Sequence, residues 1–414
     1  MMKYRNLFRY LQKQITRHHI DKMKKYFSAF FFLLFFCVSI GAQKKFHAYA
    51  VGFYNLENLF DTCHDAGKND YQFLPSGSYR WNGMKYSHKL HNMARALGDM
   101  GTTMLPGVGC SAIGVSEVEN DRCLTDLCAQ PELSKRGYKF CHVEGPDHRG
   151  IDCALIYNPS LFAVKAFRLY PYVPTEKQDS LFRTRGFFAV SGEMAGEHVV
   201  IIVNHLPSRF NGSYYREVGA AQIKSLKDRI LNLDPKAKVI VMGDMNDDPT
   251  NKSMHEALSA KEDVAMVGKD DMYNPWYNVL AKQGAGTLQY QGSWNLFDQI
   301  ILSPSLINKN GDKDYATLKF FKNEIQRMPY LFQTEGKYKG GTKRTTAGGV
   351  WLDGFSDHLP TVVYLVKEQR EKKDKALKES VFALPDYTEA ELKNIASCEA
   401  EQKARMEKTT KNND

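Results

Sequence analysis

Short apolar runs alternate along the chain with polar segments that contain Gly, Pro, Asn and Asp. The runs are rich in Val, Ile and aromatic residues and are too short for helices, which is typical of buried β-strands. Two other segments, 86–100 and 215–231, repeat apolar residues every three or four positions and are predicted to be helices. Together they predict one α/β domain over residues 43–366. The predicted strands are 48–53, 112–115, 153–157, 199–203, 238–242, 299–302 and 361–366.

The N-terminal residues have the pattern of an export signal. Lys24 and Lys25 precede an apolar run over residues 26–40, and polar sequence begins after Ala42. The run has about 15 residues, fewer than the roughly 20 that an apolar helix needs to cross a bilayer. We therefore predict a signal peptide over residues 1–42, with Met23 as an alternative start. The chain is expected to be exported to the periplasm or the extracellular medium without a stable membrane anchor; a permanent anchor is the alternative.

Composition adds little to this picture. The chain has 414 residues, of which 43% are apolar and 25% charged, as in an ordinary globular protein. Its formal charge is +9, but the predicted leader holds eight of the 56 basic residues and one of the 47 acidic residues. The remainder is nearly neutral and lacks the overall charge of a nucleic-acid-binding protein. The cysteines after the leader have no CxxC spacing, so no thiolate zinc site is predicted.

The C-terminal segment 367–414 differs in composition from the domain. It is rich in Lys, Glu, Asp and Ala, with scattered apolar residues, and Pro385 interrupts it. This pattern predicts a charged helical tail that is solvated; a partner-binding helix is the alternative. No protein partner is indicated.

Polar side chains recur just beyond the ends of predicted strands. Asp298 instead comes directly before the strand 299–302, and Asp357 and His358 come shortly before 361–366. If all these groups share one site, the last two strands run opposite to the earlier ones, which predicts mixed or antiparallel sheets. The side chains that follow strands are Asn55, Glu57, Glu117, His205, Asp244 and Asn246.

Each motif taken alone has a structural explanation. The segment 243–249 has the composition of an Asx-rich turn, and 356–360 that of a strand start with a proline stop. An EF-hand loop that begins at Asp244 is excluded. Its sixth position, which requires Gly, is Pro249, and its twelfth is His255 instead of Glu.

Six motifs, taken together and in order, resemble those of the endonuclease/exonuclease/phosphatase superfamily. They are Asn55-Leu56-Glu57-Asn58, Gly114-Val115-Ser116-Glu117, Asn204-His205, Gly243-Asp244-Met245-Asn246, Asp298-Gln299-Ile300 and Ser356-Asp357-His358. Two further segments, 147–152 and 205–209, are similar to those of its secreted bacterial nucleases. The resemblance covers residues 46–366 and implies an α/β fold that is a four-layered sandwich, with two mixed β-sheets face to face and helices outside.

The resemblance also implies a metal-dependent phosphoester hydrolase. Oxygen ligands that leave several waters in place suit Mg²⁺ or Mn²⁺. The implied metal ligands are Asn55, Glu57, Glu117 and Asp357. The implied catalytic residues are His205, Asp244, Asn246, Asp298 and His358.

The residue types indicate a role for each catalytic group. Asp244 and Asn246 are expected to orient the attacking water and the phosphate. His205 and His358 are expected to contact the phosphate, while Asp298 orients His358 and stabilises its charge.

Arginines and aromatic residues outside these motifs are further candidates. Arg149 and Arg209 are predicted to bind the substrate, because a planar guanidinium donates two hydrogen bonds to one phosphate. A surface ion pair is the alternative for each. The basic loop 337–351 has two interpretations: it closes over a polyanion, or it is a solvated insertion. The aromatic segment 71–81 also has two: its rings stack on bases, or they pack locally.

We therefore expect an exported enzyme with nucleic acid, DNA or RNA, as its substrate. A phosphatase or a lipid or inositol phosphodiesterase of the same superfamily is the alternative. A surface binding protein without turnover is the alternative from another class, but the complete set of catalytic residue types favours an enzyme.

Overall fold

The computed structural model describes residues 44–175, 180–309, 311–336, 338–369 and 377–411. Nearly all of these belong to one compact unit, His47–Asp414. The predicted signal peptide over residues 1–42 lies outside the described residues. Within the described ranges, no helix combines the length and the hydropathy needed to cross a membrane.

The first sheet contains the strands β1 Phe46–Leu59, β2 Cys110–Val118, β3 Lys139–His142, β4 Asp152–Tyr157, β14 Lys319–Ile325 and β17 Thr361–Glu368. Their spatial order is β14-β17-β1-β2-β4-β3. β1 and β2 are parallel, whereas β4 is antiparallel to both β2 and β3. The first sheet is therefore mixed.

The second sheet contains β5 Ala163–Tyr170, β6 Phe187–Met194, β7 Glu197–His205, β8 Lys238–Asp244, β9 Ala260–Lys261, β10 Met272–Tyr273 and β13 Asp298–Leu302. Their spatial order is β5-β6-β7-β8-β13-β10-β9. β7 and β8 are parallel, and β13 is antiparallel to β8. The position of Asp298 before its strand had predicted this reversal, and Asp298 lies opposite Asp244 in the register.

Two small hairpins complete the strands, β11 Leu288–Tyr290 with β12 Ser293–Asn295 and β15 Thr346–Ala347 with β16 Val350–Trp351. The α-helices are α1 Gly83–Asp99, α2 Asp121–Cys128, α3 Pro131–Ser134, α4 Ser213–Leu233, α5 Tyr277–Gln283 and α6 Glu389–Lys411. Single turns of 3-10 helix cover Tyr71–Phe73, Val264–Met266, Pro304–Leu306, Pro329–Leu331 and Glu379–Phe382, and Ser253–Ala257 is a π-helical turn.

Apolar side chains form one buried layer between the sheets and one on each outer face. Phe53 of β1 and Leu155 of β4 pack with Ile201 of β7 and Met242 of β8 in the central layer. The outer face of the first sheet packs against α1 through residues such as Leu97. The outer face of the second sheet packs against α4, whose inner positions include Ile223, Leu226 and Ile230. This arrangement confirms the predicted α/β sandwich of two mixed sheets with helices outside.

Local sequence explains where two of the outer helices begin. The Asn82 side chain accepts a hydrogen bond from the Lys85 backbone N–H at the start of α1, at 3.1 Å. Asn120 does the same for Cys123 at the start of α2, at 3.0 Å. Such caps satisfy backbone donors that have no partner within the helix.

The described part of the C-terminal segment contacts the domain along one face of α6. Glu391 pairs with Arg229 of α4 at 2.9 Å, and Tyr387 packs edge-on against Tyr170 of β5. Most other residues of the helix are exposed or half-buried. The sequence pattern had predicted a charged helix but not this contact.

Candidate active site

β-Bulges shape the end of the first sheet at which the candidate residues gather. The pairing of β1 with β2 shifts between Asn55 and Leu59, and Glu117 is an extra residue of β2 in its pairing with β4. Glu57 and Glu117 have positive φ angles of 49° and 60°. A bulge bends its strand and re-aims a side chain. The carboxylates at positions 57 and 117 therefore belong to irregular strand ends, whereas the sequence pattern had placed them after the strands.

A cleft of about 440 Å³ opens at this end of the sandwich. Six of the predicted metal and catalytic residues line it: Glu117, His205, Asp244, Asn246, Asp357 and His358. Asn55, Glu57 and Asp298 are buried and contact these lining residues or their neighbours. The structure thus brings all nine together.

His358 and Asp298 form a buried pair beside Asp244. The His358 Nδ1 atom lies 2.7 Å from the Asp298 carboxylate, and its Nε2 atom lies 3.7 Å from Asp244. Burial alone would lower the pKa of His358, but the charges of Asp298 and Asp244 outweigh it and raise that pKa well above its usual value. The surrounding carboxylates therefore favour the protonated form of His358, whose Nε2 atom is on the side of Asp244.

Asp244 is held by hydrogen bonds from two sides. The Asn55 side chain donates to its Oδ2 atom at 3.0 Å, and the Asn246 backbone N–H donates to its Oδ1 atom at 2.9 Å. The Asn246 side-chain amide donates to the Leu206 carbonyl at 2.9 Å. Burial raises the pKa of Asp244, and protonated His358 opposes that rise. A buried carboxylate with a raised pKa is suited to accepting a proton.

His205 completes the cluster. Its Nε2 atom lies 3.5 Å from Asp244 and 3.9 Å from Glu117. Burial, reinforced by the nearby Arg185, lowers the pKa of His205 well below its usual value. The surroundings of the two histidines therefore shift their pKa values in opposite directions, and a neutral His205 ring can donate or accept a hydrogen bond.

The proposed metal ligands fall into two groups by their surroundings. Glu117 is partly exposed to the cleft and accepts a hydrogen bond from the Asn58 backbone N–H at 3.1 Å. Asp357 is also partly exposed, and one of its oxygens accepts from Arg344 at 2.8 Å. Their remaining carboxylate oxygens are hard ligands of the kind that Mg²⁺ or Mn²⁺ prefers. These two residues fit a divalent metal ion.

Glu57 and Asn55 are more enclosed. Glu57 accepts hydrogen bonds from the Thr345 backbone N–H at 2.6 Å and from Arg344 at 3.1 Å. The Asn55 side-chain oxygen accepts from the Glu57 backbone N–H at 2.9 Å. Through these contacts Glu57 holds Arg344 and the strand end in place, on the side of Asp357.

Asp244, Asp298 and His358 form an alternative set of ligands. Oxygen and nitrogen atoms of Asp244, Asp298 and His358 all lie within 4.8 Å of one another. Asp298 is taken up by its short contact with His358 and does not line the cleft, whereas Glu117 and Asp357 do. The hard-oxygen pair Glu117 and Asp357 is the better candidate.

The two predicted substrate arginines lie in different surroundings. Arg149 lines the cleft and is half-exposed, with its Nε atom 3.7 Å from Asp147. Arg209 instead donates to the Asn246 carbonyl at 3.1 Å and to Asp248 at 2.9 Å, and it stacks on Phe297. The structure thus brings Arg149 to the candidate site, while Arg209 takes part in contacts within the protein.

A model of the endonuclease/exonuclease/phosphatase family matches residues 50–367. The chain belongs to this family. Members of the superfamily are phosphoester hydrolases and typically depend on divalent metal ions. The match spans all nine predicted metal and catalytic residues, and it ends before the C-terminal helix α6.

Solved structures with a similar fold include a family protein from Bacteroides thetaiotaomicron (16% identical, covering 78% of this chain and 97% of that one, TM-score 0.47). A mannosyl-6-phosphatase of the same organism is 16% identical over 77% of this chain and 99% of its own, with a TM-score of 0.46. TDP2 from D. rerio, complexed with a single-strand DNA product, is 13% identical over 77% and 98%, with a TM-score of 0.45. No curated protein sequence matches the chain. At such low identities the neighbours carry no information on the substrate of this family member.

Several residues of the site have no counterpart among the sequence predictions. Lys89 of α1 is fully buried and donates to the Phe355 carbonyl at 2.6 Å and to the Thr345 hydroxyl. Burial lowers the pKa of Lys89 to about 8, against the opposing charge of Glu57. Its signal was visible, because Lys89 lies four and eight residues before Met93 and Leu97 on the apolar face of α1.

Arg185 also lines the cleft but was not predicted. It is buried two residues before the start of β6 and donates to Asp147 at 3.1 Å and to the Leu206 carbonyl at 3.0 Å. Arg183 lines the cleft two residues earlier, and its Nε atom lies 3.1 Å from Glu401 of α6. His148, in the same cleft wall as Arg149, lies 3.0 Å from Arg405 of that helix. The C-terminal helix therefore supports one wall of the cleft.

A second buried ionic network lies beside this wall. Asp152, the last residue of the segment 147–152, pairs with His142 at 3.3 Å, and His142 also contacts Asp121 at 2.8 Å. Lys68 pairs with Glu144 at 2.6 Å and donates to the Gly145 carbonyl at 2.8 Å. Burial alone would lower the pKa of His142, but Asp152 and Asp121 outweigh it and raise that pKa. These contacts indicate that Asp152 stabilises the fold of the wall.

The aromatic residues of the segment 71–81 differ in how far they are buried. Trp81 and Phe73 are buried, and Phe73 stacks on Phe60 with ring centroids 4.0 Å apart. Tyr71 is half-exposed and stacks on His64. Most of this segment therefore packs locally.

Proposed function

We propose that this protein is an exported, divalent-metal-dependent nuclease that hydrolyses phosphodiester bonds of DNA or RNA. The observation that carries the proposal is the buried His358–Asp298 pair next to Asp244, at 2.7 and 3.7 Å, with the carboxylates of Glu117 and Asp357 in the same cleft. A fixed cation, a raised-pKa carboxylate and two hard oxygen ligands together suit attack of water on a phosphate.

Each residue of the cluster has a role that its contacts support. Asp244 accepts a proton from the attacking water, and the hydrogen bonds from Asn55 and Asn246 fix its orientation. The water oxygen bonds to phosphorus as the bond to the leaving oxygen breaks. Protonated His358 and neutral His205 stabilise the negative charge that grows on the phosphate oxygens.

A divalent ion held by Glu117 and Asp357 would supply further positive charge at the phosphate when bound. Arg344 would keep the Asp357 carboxylate in place through its 2.8 Å contact, and Glu57 would in turn hold Arg344. The ligands would thus be oriented by hydrogen bonds from behind, as is usual for metal sites in proteins.

The arginines of the cleft wall favour a substrate that carries several phosphates. Arg149, Arg183 and Arg185 all line the cleft. Arg183 and Arg185 are already paired with Glu401 and Asp147, so half-exposed Arg149 is the side chain that remains available to bind a phosphate next to the one that is cut. This feature favours a nucleic acid strand over a small monoester.

Export is the second part of the proposal and is supported by the leader pattern over residues 24–42. Recovery of the protein from the periplasm or the medium, followed by N-terminal sequencing, tests it. We expect a mature start at Gln43, and a start at or before Met23 would reject export by this signal.

The enzymatic part is tested on residues 43–414 with Mg²⁺ and a panel of substrates. The panel contains single- and double-stranded DNA, RNA, a phospholipid and a sugar phosphate, and His358→Ala is the matched inactive control. We expect cleavage of nucleic acid by the wild type and loss of most of that cleavage in the variant. Hydrolysis of the phospholipid or sugar phosphate alone would replace the nuclease by one of the alternative phosphoesterases.

A further inference from the structure

A turn between β7 and α4 carries a phenylalanine that is almost completely exposed. The turn covers residues 207–211, and Phe210 at its tip is 99% exposed. Ser208 and Asn211, on either side of the tip, line the same cleft as His205, Asp244 and His358. Phe210 thus lies at the rim of the candidate active site.

The turn is fixed from inside by a buried arginine. Arg216 of α4 is 5% exposed, and its Nη1 atom donates to the carbonyls of Ser208 and Asn211, each at 3.1 Å, and to that of Pro207 at 3.4 Å. Its Nε atom lies 2.9 Å from Asp247. Three carbonyls of one short turn are therefore bound to a single immobile guanidinium.

Arg209 holds the turn from the other side. Its guanidinium donates to Asp248 at 2.9 Å, to Asn251 at 3.2 Å and to the Asn246 carbonyl at 3.1 Å. It also lies over the Phe297 ring at 4.5 Å. These contacts use Arg209 as an anchor and leave its neighbour Phe210 directed away from the protein.

This arrangement fixes the backbone of the turn from which the ring projects, without burying the ring. Burying a phenylalanine side chain usually contributes to stability, but the exposed ring makes almost no such contribution here. An exposed aromatic face beside a phosphate-binding cleft is what a stacked ligand requires, and the anchored turn keeps that face at the rim of the cleft.

We propose that Phe210 is a stacking platform for a nucleobase next to the phosphate that is cleaved. The proposal rests on the nuclease function proposed above and names a contact that selects nucleic acid among phosphoesters. The ring is flanked in the chain by polar Ser208, Arg209 and Asn211. Lipid insertion requires a continuous apolar patch, whereas a single ring among polar groups suits a flat, polar heterocycle.

The experiment combines changes in the protein with changes in the substrate. Phe210→Ala removes the ring, Phe210→Tyr keeps an aromatic face, and Phe321→Ala removes another half-exposed phenylalanine, on β14, as a control. The substrates are a short oligonucleotide and versions that lack one base on either side of the cleaved bond. Because Phe210 packs against almost nothing, its substitution should leave the melting temperature unchanged.

We expect Phe210→Ala to raise KM about 5- to 150-fold on the complete oligonucleotide, the range that stacking of one base produces. Phe210→Tyr and Phe321→Ala should stay close to the wild type. Removing one particular base should cost the wild type a similar factor, and removing both ring and base should cost little more than either alone. Independent, multiplying losses would overturn the platform.

Binding without cleavage separates this inference from the proposed function. The anisotropy of a labelled oligonucleotide is measured with wild type and Phe210→Ala in excess chelator. Equal affinities would overturn the stacking platform even if the enzyme proves to be a nuclease. Weaker binding by Phe210→Ala, in a protein whose wild type cleaves no nucleic acid, would support the platform and reject the nuclease activity.

Discussion

The pair His358 and Asp298 offers the sharpest test of the site. Asp298 is fully buried, and one of its carboxylate oxygens lies 2.7 Å from the His358 ring. The other oxygen is buried and has no hydrogen-bond partner among the described residues. Asp298→Asn therefore removes the negative charge while keeping the size of the side chain.

The size of the effect follows from the geometry. Two unit charges about 4 Å apart attract by about 4 kcal/mol at an effective dielectric constant of about 20. If His358 must be charged to stabilise the transition state, this loss corresponds to a decrease in kcat of roughly 10³. That value lies within the range of about 10² to 10⁴ that positioned acid–base or electrostatic groups contribute.

The assay is kcat for oligonucleotide cleavage at saturating substrate and Mg²⁺, for Asp298→Asn, His358→Ala and the double variant. Asp270→Asn, a largely exposed carboxylate on the surface, is the matched control. Because the pair acts as one unit, the double variant should be little worse than His358→Ala alone. A double loss equal to the product of the single losses would show that the two residues work independently and would refute the pairing.

Three further predictions concern the metal, the tail and a buried histidine. Chelation should abolish hydrolysis and Mg²⁺ or Mn²⁺ should restore it, with Glu117→Gln needing at least about tenfold more metal for half-maximal activity; full activity in excess chelator would contradict this. Glu401→Ala leaves buried Arg183 without its carboxylate and should lower the free energy of unfolding, measured in urea, by about 1–3 kcal/mol. The control Glu399→Ala, at an exposed position, should change it by less than about 0.5 kcal/mol. Equal effects of the two variants would mean that the tail helix does not support the cleft wall. Neighbouring carboxylates raise the pKa of His142 in the folded state despite its burial, so the folded state binds more protons than the unfolded state. Protonated His142 therefore stabilises the fold. This stabilisation is complete below the unfolded pKa of about 6.5 and is lost as the pH rises through the raised folded-state pKa. The stability difference between wild type and His142→Gln, measured by urea unfolding from pH 5.5 to 8.5, should therefore shrink with rising pH, and a difference that grows would be inconsistent.

Seven of the strands and the reversal of β13 were predictable because their signals are local. Each predicted strand lies within an observed one, and the position of Asp298 was enough to infer strand direction. Among the strands longer than three residues, the sequence pattern did not identify β3, β5 and β14 at the sheet edges, nor β6 between β5 and β7. β5 and β14 consist almost entirely of exposed and half-buried positions, and charged residues such as Lys165 and Lys322 interrupt the apolar signal.

The sequence predicted which residues form the candidate site, but not which residues hold them in place. The nine residues that gather at the cleft belong to six short motifs. These motifs identify the residues because their order along the chain does not depend on the loops between them. The partners of Glu57 are different, since Arg344 and Thr345 lie more than 280 positions away. Arg209 shows the same limit: its type suits a phosphate, and only the fold reveals that Asp248 already binds it.

The backbone of the site shows why its supports matter. Glu57, Glu117 and Asn246 have φ angles of 49°, 60° and 49°, a region that costs a residue with a Cβ atom about 1–2 kcal/mol. Each is held there by a hydrogen bond that also orients a candidate side chain: Thr345 N–H to Glu57, Asn58 N–H to Glu117, and the Asn246 N–H to Asp244. Conformations of this cost persist only where surrounding contacts determine them. The contacts that aim the carboxylates into the cleft are therefore the same ones that hold the strained strand ends, so removing a carboxylate is expected to relax the backbone as well as to remove a ligand.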